Sequence, residues 1–162
     1  MTPEQLTAIK AYIDATPELS AQPLNSDGAF AIAAELNKTA VPDYIVWRTS
    51  VMQDEVTAQS GFTWTLVDGL TGGSARIWEW LFDNASRAID ASKVNVRQGI
   101  ADVWSGTAQK LAVQSAVLAV CKRKATVCEK VLATGTGTTQ TPATMGFEGS
   151  ISYSDVTDAR AL

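Results

Sequence analysis

Apolar residues recur at helical spacing along most of this chain. Leu6, Ile9 and Ile13 form one stripe, and Thr2 and Gln5 stand in capping-box spacing around Pro3, so the first helix is predicted from Pro3 to about Thr16. Two prolines in PELSAQPLN make residues 17–25 a loop. A second helix is predicted from Ser26 and Asp27 to about Asn37, carrying Phe30, Ile32, Ala33 and Leu36. VPDYIVWRTS reads either as a short extended piece or as the lead-in to a helix. SVMQDEVTAQSG reads as a helix opened by Ser50 and Gln53 and closed by Gly61, and FTWTLVDGL as a short strand or a single helical turn.

GGSARIWEWLFDN predicts a helix to about Asn84. Trp78 and Trp80 lie two residues apart, about 200° around the axis, so Trp78 and Phe82 mark one face while Ile77, Trp80 and Leu81 mark another. A helix apolar on opposite sides needs cover on both. In a chain of this size the second cover is expected to be another subunit. A short helix over KVNVRQGIADVW leads to Trp104. AQKLAVQSAVLAVCKRKATVCEKVLA then predicts the longest helix, with Leu111, Leu118, Cys121, Ala125, Cys128 and Leu132 along one seam.

Residues 133–162 break the pattern, opening on a Thr/Gly run yet holding Met145, Phe147, Ile151 and Tyr153. The predicted fold is mainly α: a helical bundle over residues 1–132 with a long C-terminal helix, followed by an extended C-terminal docking tail over residues 133–162. The tail's four apolar side chains are expected to gain their contacts in an assembly, where burial offsets the cost of ordering.

Composition adds limits. The length of 162 residues allows one core that buries roughly 70% of the unfolded chain's surface. At 46% hydrophobic and 19% charged the chain is globular in composition. No apolar run is long enough to span a membrane, and MTPEQLTAIK lacks the build of a signal peptide, so neither a membrane segment nor classical export is expected. The net charge of −4 is uneven. Residues 1–70 carry 3 basic and 9 acidic side chains, residues 71–132 carry 9 and 5, and residues 133–162 carry 1 and 3. These segments can neutralise one another within the domain or across a contact between copies. A sequence pI near 4.8 disfavours dominant nucleic-acid binding.

The chemistry is sparse. No histidine is present, which removes the commonest general base and the commonest transition-metal ligand. Cys121 and Cys128, two turns apart on one predicted helix, are separated by roughly 10 Å of rise, too far for a disulfide. They read as buried apolar thiols and form no zinc site. Glu79 and Asp83, at i and i+4, could hold a divalent ion or form an acid/base pair, or be a solvated stripe beside Arg76 and Arg87. GTGTT at residues 135–139 lacks the strand, helix and Lys that a phosphate cradle needs, and reads as a linker. Lys122, Arg123 and Lys124 fan across about 200° of the predicted helix; they are the candidate contact with DNA or an acidic surface, against a plain solvated face. No catalytic, metal or cofactor-binding residue and no cofactor is assigned, and the chain reads as non-enzymatic.

ARIWEWLFDN together with ATGTGTTQTPATMGFEGSISYSDV resembles a family of small virion proteins of tailed bacteriophages, the head-to-tail connector or adaptor (neck) proteins. DGAFAIAAELN and VWRTSV belong to the same resemblance, which spans nearly the whole chain. It implies a ring, dodecameric in the better-known adaptors, between portal and tail, with a C-terminal segment reaching onto the portal. Implied partners are other copies of the chain, the portal protein, tail or tail-completion proteins and, in passing, genomic DNA. The implied location is the virion neck, with the host cytoplasm during assembly. The interface would use Trp78, Trp80, Phe82, Met145, Phe147, Ile151 and Tyr153. Head-completion, tail-terminator and capsid-decorating roles remain alternatives, as do a metal-dependent enzyme using Glu79 and Asp83 and a DNA-binding regulator using Lys122 to Lys124.

Overall fold

A computed structural model describes residues 1–84 and 86–162. The fold is mainly α, as expected. In chain order the elements are α1 (Pro3–Ala15), α2 (Pro17–Ser20), α3 (Ser26–Leu36), β1 (Ile45–Trp47), β2 (Val51–Met52), α4 (Gln53–Thr57), α5 (Trp64–Asp68), α6 (Gly72–Leu81), β3 (Ala88–Ile89), α7 (Val94–Val103), α8 (Ala108–Val120), β4 (Lys122–Lys124), α9 (Val127–Leu132) and α10 (Tyr153–Ala161).

These elements make two compact units, one of residues 1–46 and 124–162, the other of residues 47–123. This division differs from the expected break at residue 132. Residues 133–162 are an integral part of the first unit. There α10 packs on α1 and α3, and α9 packs on α1. The core contains Ile9, Ile13, Ile32 and Leu36 from the N-terminal helices, Cys128 from α9, and Ile151, Val156 and Ala159 from the C-terminal segment. Asn37, just beyond α3, accepts the Ile151 N–H at 2.9 Å and donates to the Ile151 carbonyl at 2.9 Å, so one amide clamps the segment like a strand partner.

The Thr/Gly run is fixed in place. Thr134 and Thr144 exchange backbone hydrogen bonds, Ile45 N–H donates to the Gly137 carbonyl, and the Tyr44 hydroxyl donates to the Gly135 carbonyl at 2.8 Å. Gly137 has φ +65°, a left-handed conformation that L side chains rarely adopt, and its Cα lies against the Tyr44 ring where a Cβ would have no room.

The helix predicted over residues 108–132 is instead α8, β4 and α9. After Cys121 the backbone turns extended, and β4 pairs with β1. A new helix starts where the Thr126 hydroxyl accepts the Glu129 N–H and the Glu129 carboxylate accepts the Thr126 N–H. Alanine propensity lost here to backbone pairing and a local cap.

In the second unit β2 and β3 pair antiparallel, Val51 opposite Ile89 and Met52 opposite Ala88. Trp78, Phe82 and Trp104 sit at the centre of its core, the two indoles edge to face with centroids 5.1 Å apart. α6 packs on α7, and α8 packs on both α4 and α7. Smaller departures from expectation are the short helix α2, which Pro17 starts rather than prevents, and the replacement of a helix from Ser50 by β2 followed by the five-residue α4.

Candidate interaction surface

The predicted interface residues fall into three environments. Trp78 and Phe82 are buried in the second unit's core, and Ile151 is buried in the first unit's core. Met145 and Phe147 are half-buried, the former beside Val46, Ala125 and Ala143, the latter against the core around Ile151. Trp80 and Tyr153 are exposed, 63% and 46% respectively. The second apolar face of α6 is therefore covered in part within its own unit: Ile77 and Leu81 lie against Gly99 of α7, where a Cβ would be 3.4 and 3.5 Å from them. Only Trp80 projects outward, with the Arg76 guanidinium 5.4 Å from its ring centroid.

The expectation of a tail waiting for a surface is corrected in the same way. Ser152 opens α10 with a capping box to Asp155, whose carboxylate accepts from the Ser152 backbone at 3.0 Å and from its hydroxyl at 2.5 Å. The Ser152 hydroxyl, and beyond it the N-terminal ammonium 3.6 Å away, hold the Asp155 carboxyl below its ordinary range. Ser152-x-x-Asp155 and Thr126-x-x-Glu129 are both legible helix starts in the sequence, obscured by the long apolar period before one and the Thr/Gly run before the other.

On the first unit, α3, α10 and the loop between α2 and α3 form an apolar groove. Leu24, Ala29, Tyr153, Thr157 and Ala161 line a cavity of about 430 Å³. The Tyr153 ring stacks on Phe30 with centroids 4.3 Å apart and planes 26° apart. Leu24 is 87% exposed. On the second unit the exposed aromatics are Trp64 and Trp80, and the latter borders a cavity of about 460 Å³ with Ile77, Leu81, Val96 and Gly99.

The basic triplet lies on a strand, so its side chains alternate instead of fanning. Lys122 sits 5.3 Å over the Trp47 ring, which Arg97 also approaches at 4.6 Å, and Lys124 pairs with Asp43 at 2.7 Å. Glu79 and Asp83 are exposed, and no group of three or more His, Cys, Asp or Glu side chains among the described residues could hold a metal ion. Both carboxylate oxygens of Glu55 accept from one guanidinium nitrogen of Arg48, Nη2, at 2.8 and 3.1 Å; the Met52 N–H first, then Arg48, lowers the Glu55 pKa. No helix among the described residues is long and apolar enough to cross a membrane.

No family model, curated protein or solved structure matches the chain.

Proposed function

We propose that the chain is a structural, non-enzymatic virion protein of a tailed bacteriophage: a head-to-tail adaptor that forms an oligomeric ring between portal and tail. The observation that carries this reading is the exposure of large apolar side chains on each unit: Leu24, Phe30 and Tyr153 on one, Trp64 and Trp80 on the other. Single exposed apolar residues are ordinary. A stacked aromatic pair bordering an apolar groove is less so, and Trp, Tyr and Phe are the residues enriched at protein interfaces. An adaptor in a ring must contact both further copies of itself and a different neighbouring protein, and two separate aromatic patches, one on each unit, give it surface for both. The C-terminal segment enters through Tyr153, displayed from a folded helix, rather than as a free tail. The resemblance of ARIWEWLFDN and the C-terminal strings to neck proteins supplies the specific station.

Copy number in purified particles tests the station. A ring gives about six or twelve copies per particle. Hundreds of copies would mean capsid decoration, and absence from particles would remove the virion role.

A further inference from the structure

The groove on the first unit is built firmly enough to define what fits it. One wall is the loop over residues 21–25. Arg160 donates to the Pro23 carbonyl at 2.9 Å and to the Gln22 carbonyl at 2.8 Å, and the Asn25 side chain caps α3 by accepting the Gly28 N–H at 2.9 Å. Gly28 lies so close to the Pro23 carbonyl that a Cβ there would collide with it. Leu24 is thus held outward by a fixed loop. The opposite wall is one face of α10, with Tyr153, Thr157 and Ala161 at successive four-residue steps.

Two acidic residues adjoin the groove's lining in sequence. Asp27 and Asp158, each next in sequence to a lining residue, are exposed, and neither is ion-paired among the described residues. Arg160, in the lining, has its guanidinium committed to backbone carbonyls. The first unit as a whole carries 5 basic and 10 acidic side chains. A second copy pairing through the same groove would bring like charges together. The exposed Trp80 of a second copy brings Glu79 and Asp83 as well as Arg76 and Arg87, and so offers the groove no net positive charge.

We infer that this groove receives a basic amphipathic segment of a partner protein, its apolar side chains seated between Leu24 and Tyr153 and its Lys or Arg side chains facing Asp27 and Asp158. This is the helix-in-groove mode of recognition. The inference rests on the assembly reading above and specifies the chemistry of the partner.

The probe is a synthetic amphipathic peptide with Leu on one face and Lys on the other, titrated against the full chain by fluorescence anisotropy. Two controls accompany it: the same peptide with Glu in place of Lys, and a shuffled version that keeps the charge but has no apolar face. The Lys peptide is expected to bind at least about tenfold tighter than either control, a difference of about 1.4 kcal/mol. Leu24→Ser, and separately the Asp27→Lys/Asp158→Lys pair, should each weaken it by about tenfold or more with an unchanged circular dichroism spectrum. Equal binding of the shuffled or acidic peptide, or wild-type affinity in the folded variants, overturns the inference. So does self-association abolished by Leu24→Ser without preference for the Lys peptide, since it makes a second copy the occupant. A chain that joins a portal ring yet ignores the Lys peptide loses only the groove assignment; one that binds the peptide but no portal loses only the head-to-tail station.

Discussion

Arg160 shows how a residue's work can differ from its charge: its guanidinium ties the chain's last helix to a loop more than a hundred residues earlier through two carbonyls. Nothing local to SYSDVTDARAL marks that bond, since it depends on tertiary placement. Gly28 is its counterpart, needed for closeness rather than for backbone conformation. Gly28→Ala is expected to cost about 1–3 kcal/mol, by forcing the loop from α3, seen as a lower midpoint in urea unfolding. The cysteines were legible as buried thiols, and both are free and buried. They do not share a helix face, however: Cys121 ends α8 in one core and Cys128 lies on α9 in the other. Burial pushes both thiols up to about 12, whereas unfolded thiols ionise near 8.5. Between those values the folded state holds more protons, so these groups stabilise it fully below about pH 8.5 and progressively less as pH rises toward 12. Urea midpoints at pH 8 and pH 10.5 should therefore differ less in Cys121→Ala than in the wild type; an equal difference would show that the thiol does not contribute.

Among the elements, periodicity located α1, α3, α6, α7 and the first half of the predicted long helix, because each buries a stripe in its own unit. What it missed were places where backbone pairing overrides side-chain pattern. Residues 122–124 keep helical composition, yet the Ala125 N–H donates to the Tyr44 carbonyl and Arg48 N–H to the Cys121 carbonyl, and the strand follows. The Thr/Gly run hides its order similarly, since its contacts are backbone bonds to distant residues. The fully buried Glu129 carboxylate completes this framework by accepting from Thr126 at 2.9 Å and Gly149 at 3.2 Å. Truncation after residue 149 removes Ile151, Val156 and Ala159 from the core. It should melt much of α1 and α3, so the circular dichroism helix signal falls by more than α10 alone accounts for. A loss confined to the nine residues of α10 would restore the picture of a dispensable tail. Asn37→Ala leaves both polar groups of Ile151 without that side-chain partner and is expected to cost about 1–3 kcal/mol in the same urea assay.

Across the whole chain, acidic charge concentrates in the first unit, while the second holds 8 basic and 7 acidic side chains. The sequence showed the acidic front, but assigned the C-terminal residues to a separate tail because their partners lie far back in the chain. The candidate surface was legible only in part: of seven predicted interface residues, Trp80 and Tyr153 are exposed, while Leu24 and Phe30 emerge only from the fold. Leu24 sits in a Pro-flanked loop without periodicity, and Phe30 looked like one more core position of α3. The central claim is that these aromatic patches are assembly contacts. Multi-angle light scattering of the chain mixed with the portal ring of the same particle tests it most directly. The expected result is a single species heavier than the portal by a whole ring of 17.2 kDa subunits, lost on Trp80→Asp. A portal that elutes at its own mass beside a 17.2 kDa monomer, at every concentration tried, would contradict it.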